Sequence, residues 1–252
     1  MAGIGFELRK IYGRKTLASN IWGSVYATMA SVGSSALVAV LFLFLKFMMD
    51  RSNVTELESR FFVSSFTYVF LASILISAFF QTTLSRYISD CVFQKAEEDI
   101  CAAVFGVLAV GSVISGVLML FLCAGMYEKS EISVSFLALY YCLGVLVTNA
   151  YNLMTFVSAL KEYKEVTLSY FLGIVLAGAV FLAASQMFGV HIVTSAYLAL
   201  VCGYFLLNLF LVFWCVKAFG RPGKHCFAFL NYFAAYPKLT ASGFCYMLGF
   251  YI

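Results

Sequence analysis

The chain has 252 residues, of which 63% are hydrophobic and 11% charged, with a mean hydropathy of +0.96. A soluble domain is nearer half apolar and a quarter charged, which excludes a soluble globular fold, a disordered chain and a nucleic-acid binder. The net charge is only +4, so what the charges say depends on where they lie.

They cluster between long apolar runs. The first 20 residues carry Glu7, Arg9, Lys10, Arg14 and Lys15. The apolar run that follows is far longer than a signal-peptide core, so 1–20 reads as a basic cytoplasmic segment before a retained first span. Phe6, Ile11 and Leu17 among those bases suit either a short interfacial helix or a plain topology-setting flank. The first run is Ile21 to Leu45. Five more follow at Phe61–Leu84, Ile100–Met126, Ile132–Leu160, Val166–Phe188 and Ile192–Val216, and none of the six contains Asp, Glu, Lys or Arg. Each exceeds the ~20 helical residues that cross a hydrocarbon core of ~30 Å. Residues 21–216 are therefore expected to form a six-helix membrane lobe. The fold class is all-α, a polytopic membrane helix bundle; a β-barrel would show short alternating segments instead.

The stretch 217–238 holds both prolines, Pro222 and Pro237, together with Lys217, Arg221, Lys224 and Lys238. It reads as a basic cytoplasmic linker. Residues 239–252 begin a seventh apolar run too short to span, so the sequence is expected to stop inside a helix, one lobe and the start of a second. Many transporters place the substrate site between structural repeats. With the N-terminus inside, the cytoplasmic side collects 12 Lys and Arg and the outer side 4, an asymmetry that follows the positive-inside rule.

Catalytic and metal chemistry is not visible. The eight cysteines form no CxxC pair and no Cys/His cluster with ligand spacing. His191 and His225 fall on opposite sides in this topology. No nucleophile–base pair, carboxylate pair or phosphate loop occurs, so the chain is read as a non-enzyme with no cofactor and no metal.

The spans do contain weakly polar residues. Gly23, Ala27, Ser31 and Ser35 share one helix face of the first span, with Thr28 beside them. Such small-xxx-small faces favour close helix approach; the alternative is that the hydroxyls line a polar cavity. In the fourth span, Asn149 and Asn152 lie three apart, hence on one face, near the middle of the membrane. Unsatisfied carboxamides in lipid cost several kcal/mol, roughly, so both must face protein or water. Interhelical hydrogen bonding and a substrate path are equally compatible with that. Thr28, Ser31, Ser35, Asn149 and Asn152 are the candidate path residues. Gln81, Gln186 and Asn208 are weaker candidates.

The opening Met1-Ala2-Gly3-Ile4-Gly5-Phe6-Glu7-Leu8-Arg9-Lys10 resembles the start of the PelG family, the inner-membrane transporters of Pel exopolysaccharide systems. Ser85-Arg86-Tyr87-Ile88-Ser89-Asp90 is similar to that family's loop after the second span. Tyr236-Pro237-Lys238-Leu239, with Gly243-Phe244-Cys245-Tyr246 and Phe250-Tyr251-Ile252, is similar to the start of its second half. The resemblance implies membership of the multidrug, oligosaccharidyl-lipid and polysaccharide flippase superfamily, with two six-helix lobes around a cavity. It implies export of an amino-sugar polymer across the bacterial inner membrane, alongside the glycosyltransferase PelF, the receptor PelD and the membrane protein PelE. Superfamily relatives often have proline in the first span, where this chain has Gly33-Ser34-Ser35. A lipid-linked oligosaccharide flippase is one alternative. A multidrug antiporter is another, disfavoured because such pumps commonly use an intramembrane carboxylate and this chain has none. A non-transporting scaffold for a polysaccharide synthase is the third.

Overall fold

In a computed structural model, residues 35–52, 54–94, 96–127, 132–159, 163–220 and 236–251 are described. Helix α1 covers 35–51. It is followed by α2 (Glu56–Gln94), α3 (Glu97–Tyr127), α4 (Val134–Ala159), α5 (Tyr163–Leu182), α6 (Ile192–Phe219) and α7 (Pro237–Tyr251). Every described element is helical because a segment in lipid must satisfy its backbone N–H and C=O groups internally. Among the described residues, five helices are long and apolar enough to cross a membrane. They coincide with the second to sixth apolar runs. Most of the first run, including the Gly23–Ser31 face and Thr28, lies outside the described residues, as do the N-terminal segment, residues 221–235 of the linker and His225.

Helices α1, α2, α3 and α6 run past the apolar segments that announce them. Helix α2 has 39 residues, roughly 58 Å at 1.5 Å per residue, longer than the ~40–45 Å of a whole bilayer. Its start is a capping box: the Thr55 backbone N–H and hydroxyl donate to the Glu58 carboxylate at 2.9 and 2.8 Å. Arg86, expected in a loop, instead stands on α2 and pairs with Asp90 one turn on, at 3.2 Å. Lys46 and Arg51 likewise lie on α1, where the Arg51 guanidinium sits 4.9 Å from the centre of the Phe47 ring. A helix does not end where hydrocarbon ends, since charged residues in its last turns still reach water or pair one turn away.

The fifth run closes differently from a plain helix. After Leu182 the backbone widens into a π-helical turn over Ala183–Met187. The Phe188 N–H bonds the Ala183 carbonyl, five residues back, at 3.3 Å. Gly189, at φ +61°, then takes the left-handed conformation that turns the chain into α6.

Helix α4 is the centre of the bundle and packs against α2, α3, α5 and α6. Helix α1 buries Leu41, Leu45 and Met49, one per turn. Its Phe42 meets Phe66 at 4.7 Å, and its Phe44 meets Phe181 of α5 at 6.2 Å. Helices α5 and α6 approach closely through Gly173 and Gly203. A Cβ on Gly173 would lie 2.8 Å from the Gly203 carbonyl oxygen, and one on Gly203 would lie 2.7 Å from that of Gly173. The outer surface is apolar: Val113, Val117 and Phe121 of α3, Phe171 and Val175 of α5, and Phe205, Leu209 and Phe213 of α6 are all exposed. Ser65, Ser73, Thr148, Asn152 and Asn208 are buried inside. Apolar outside and polar inside is the arrangement a lipid solvent selects.

Alternation of direction puts the starts of α2, α4 and α6 at one end of the bundle. At the other end, the Cys101 thiol donates to the Gly220 carbonyl and the Tyr236 hydroxyl donates to Asp90. That hydrogen bond to Asp90 raises the pKa of Tyr236 above its ordinary value, with loss of hydration adding to it. The contact therefore holds its proton below the usual phenol range and is lost only as pH rises through the raised value. Next to it, Thr83 of α2 bonds Thr240 of α7 at 2.6 Å, fixing α7 along the far half of α2.

Candidate functional site

The polar interior is built around α4. On one side, Asn149 and Asn152 face α3 at Gly111. A Cβ at Gly111 would lie 2.9 Å from the Asn152 amide nitrogen and 3.6 Å from the Asn149 oxygen. Only glycine lets the carboxamides come so close to the α3 backbone. Asn149 donates to the Ser112 hydroxyl at 2.8 Å. The Asn149 oxygen and both polar atoms of Asn152 have no hydrogen-bond partner among the described residues, although Asn152 is fully buried. Leaving such groups unmet is costly, so each orphan calls for an explanation. On the opposite side, Asn208 of α6 donates to the Leu146 carbonyl of α4 at 3.0 Å and to its own Tyr204 carbonyl at 2.7 Å. Its oxygen is likewise unmet among the described residues.

The five candidate path residues are thus not all seen together. Asn149 and Asn152 share the α3–α4 seam. Ser35 is exposed on α1. Thr28 and Ser31 lie outside the described residues. Asn208, a weaker candidate from sequence, is the residue that ties α6 to α4.

A second polar constellation was not foreseen from the sequence. At the bundle end where α2, α4 and α6 begin, the His191 imidazole lies 3.0 Å from the Glu58 carboxylate. Beneath them an aromatic cluster joins three helices: Phe136 meets Tyr197 at 4.7 Å and Phe61 at 5.3 Å. The Tyr197 hydroxyl shares a 2.6 Å hydrogen bond with Ser65. Above this cluster lies a groove of about 710 Å³ lined by Glu58, Arg60, Phe61, Ser64, His191 and Thr194, among others. The available signal was Thr55-x-x-Glu58. It places the helix start at residue 56 rather than 61, and so sets Glu58 and Arg60 on a rigid element instead of in a loop.

A lipid-facing apolar shell, at least five spans and a hydroxyl- and carboxamide-bearing interior define a polytopic all-helical membrane protein. The chain matches, over residues 1–252, the family model described as "PelG: Putative exopolysaccharide Exporter (EPS-E)". It belongs to the PelG exopolysaccharide exporter family. No match was found among curated proteins or among solved structures.

Proposed function

We propose that this chain is the membrane transport subunit that carries an exopolysaccharide, an amino-sugar polymer of the Pel type, across the bacterial inner membrane. The observation that carries this reading is the family match along the whole chain. A polytopic bundle with buried Ser, Thr and Asn side chains is in keeping with it, since a hydrophilic polymer needs hydrogen-bonding groups at membrane depth. The polymer would pass between this lobe and a second one, with Thr28, Ser31, Ser35, Asn149 and Asn152 as polar groups along the way. Asn149 and Asn152 reach such a passage only if α3 and α4 part at Gly111. PelF, PelD and PelE are the proposed partners, held at the basic cytoplasmic face. Deletion of the gene should abolish secreted polymer while intracellular polymer or precursor persists, and the wild-type gene should restore secretion. Unchanged secretion in the deletion strain would overturn the reading. Loss of synthesis as well as secretion would favour the scaffold role.

The orientation belongs to the same proposal and has its own test. With the Lys/Arg excess inside, Ser52→Cys and Lys129→Cys in a Cys-free background should react with an impermeant thiol reagent in intact spheroplasts. Lys224→Cys should react only after lysis. The opposite pattern would invert the bundle and put the Glu58–His191 end in the cytoplasm.

A further inference from the structure

We infer that the groove at the shared start of α2, α4 and α6 is a saccharide-binding subsite, contacted by the polymer where it meets that end of the bundle. The inference rests on the export reading for its substrate class. It adds a place and a set of contacts that the α3–α4 seam does not supply.

The groove measures about 710 Å³, within the roughly 300–1,000 Å³ of small-molecule sites. Its floor is aromatic. Phe136 is buried under it, and Phe61, half-buried, forms part of the wall. The C–H faces of a pyranose ring pack on such apolar rings, and its hydroxyls need polar partners around the edge. Those partners come from three helices. Ser64 and the Glu58 carboxylate stand on α2, Ser133 precedes α4, and His191 and Thr194 open α6.

The polar rim is held in place before any ligand arrives. Two donors from Thr55 and the His191 ring grip the Glu58 carboxylate. Arg60 is held back by Glu56 at 2.6 Å. Both of those side chains are largely exposed, so that pair contributes little to stability and leaves the guanidinium free to turn to a hydroxyl. A carboxylate with spare lone pairs can accept from sugar hydroxyls. With Glu56 and Glu58 against Arg60, the rim carries a net negative charge when His191 is neutral, so the site suits a polyhydroxylated or amino-sugar chain better than an anion.

The test uses the full chain in nanodiscs with cellohexaose as a neutral probe and the hexamer of glucosamine as an amino-sugar probe. Binding is followed by saturation-transfer NMR. At least one probe should bind saturably. Ser64→Trp, which fills the groove from its exposed edge, should weaken that binding about tenfold or more, and Thr194→Trp from the facing wall should do the same. Phe121→Ala on the lipid-facing side of α3 should leave it unchanged. Absence of saturable binding of either probe would overturn the inference. So would undiminished binding in both tryptophan variants. Displacement of the saccharide by an equal concentration of glycerophosphocholine would make the groove a lipid-headgroup site and overturn it too. Secretion in the complemented deletion strain separates the two levels. If wild type and both tryptophan variants restore polymer equally, the subsite falls while export stands. If deletion never reduced secretion, the export reading falls, and the binding titration alone decides the groove.

Discussion

Replacing Gly203 with leucine is expected to unfold the lobe at the α5–α6 crossing. The first atom a Cβ would meet is the Gly173 carbonyl oxygen at 2.7 Å, and the next is the Ala177 Cβ at 2.9 Å. Both belong to the facing helix, and neither is the free end of a flexible side chain that could swing aside. The helices must separate, and they cannot do so cheaply. Their neighbours Ala177, Leu200, Tyr204 and Leu207 are all buried. Overpacking typically costs about 1–3 kcal/mol; a backbone obstacle puts Gly203→Leu at the top of that range or beyond. Gly203→Ala should show the same effect in smaller measure. Gly178 of α5 is the control, since a Cβ there meets nothing within 4 Å, and Gly178→Ala should be neutral. Thermal melting and monodisperse yield in detergent measure this. Equal yields for Gly203→Leu and wild type would mean that the α5–α6 contact is looser than the geometry here.

The second large effect is expected at Asn152, and it should fall on export rather than on stability. Asn149 and Asn152 differ in what the fold asks of them. Asn149 holds Ser112 across the seam at 2.8 Å, and interhelical bonds of this kind average roughly 0.6 kcal/mol, with a maximum near 1.7. Asn149→Ala should therefore lower the melting temperature slightly. The Asn152 carboxamide makes no hydrogen bond among the described residues and is fully buried. Exchanging an unmet polar group for an apolar one of similar shape is neutral or stabilising, so Asn152→Leu should melt at or above the wild-type temperature. If Asn152 serves the polymer, the same variant should secrete little. Full secretion by Asn152→Leu would remove that residue from the path. A fall in melting temperature comparable to Asn149→Ala would show that its carboxamide has a structural partner after all.

The contrast between those two asparagines marks the boundary of what a sequence reading reaches here. That Asn149 and Asn152 had to face protein or water followed from their depth in an uncharged run. Which neighbour they face, and that Gly111 makes room for them, depends on the rotation of α3, which no periodicity in α3 reveals. Ser35, on the first-span face expected to pack closely or line a cavity, stands exposed on α1. The Glu58–His191 contact joins positions 133 residues apart, so neither residue has a local signal of the other.

The second to sixth spans were legible because lipid imposes a local rule: a crossing segment must be long, apolar, uncharged and internally hydrogen-bonded. The second to sixth runs obey that rule and appear as α2 to α6. Their buried faces were not legible because lipid and protein interior are nearly equal solvents for an apolar side chain. On α6, buried Leu200, Leu207 and Leu211 alternate with exposed Phe205, Leu209 and Phe213, and no difference in hydrophobicity separates the two sets. In water that difference would be the amphipathic stripe that identifies the core. In the membrane, only the packing of backbone against backbone at Gly173 and Gly203, and the pairing of the few polar groups, decides which side turns inward.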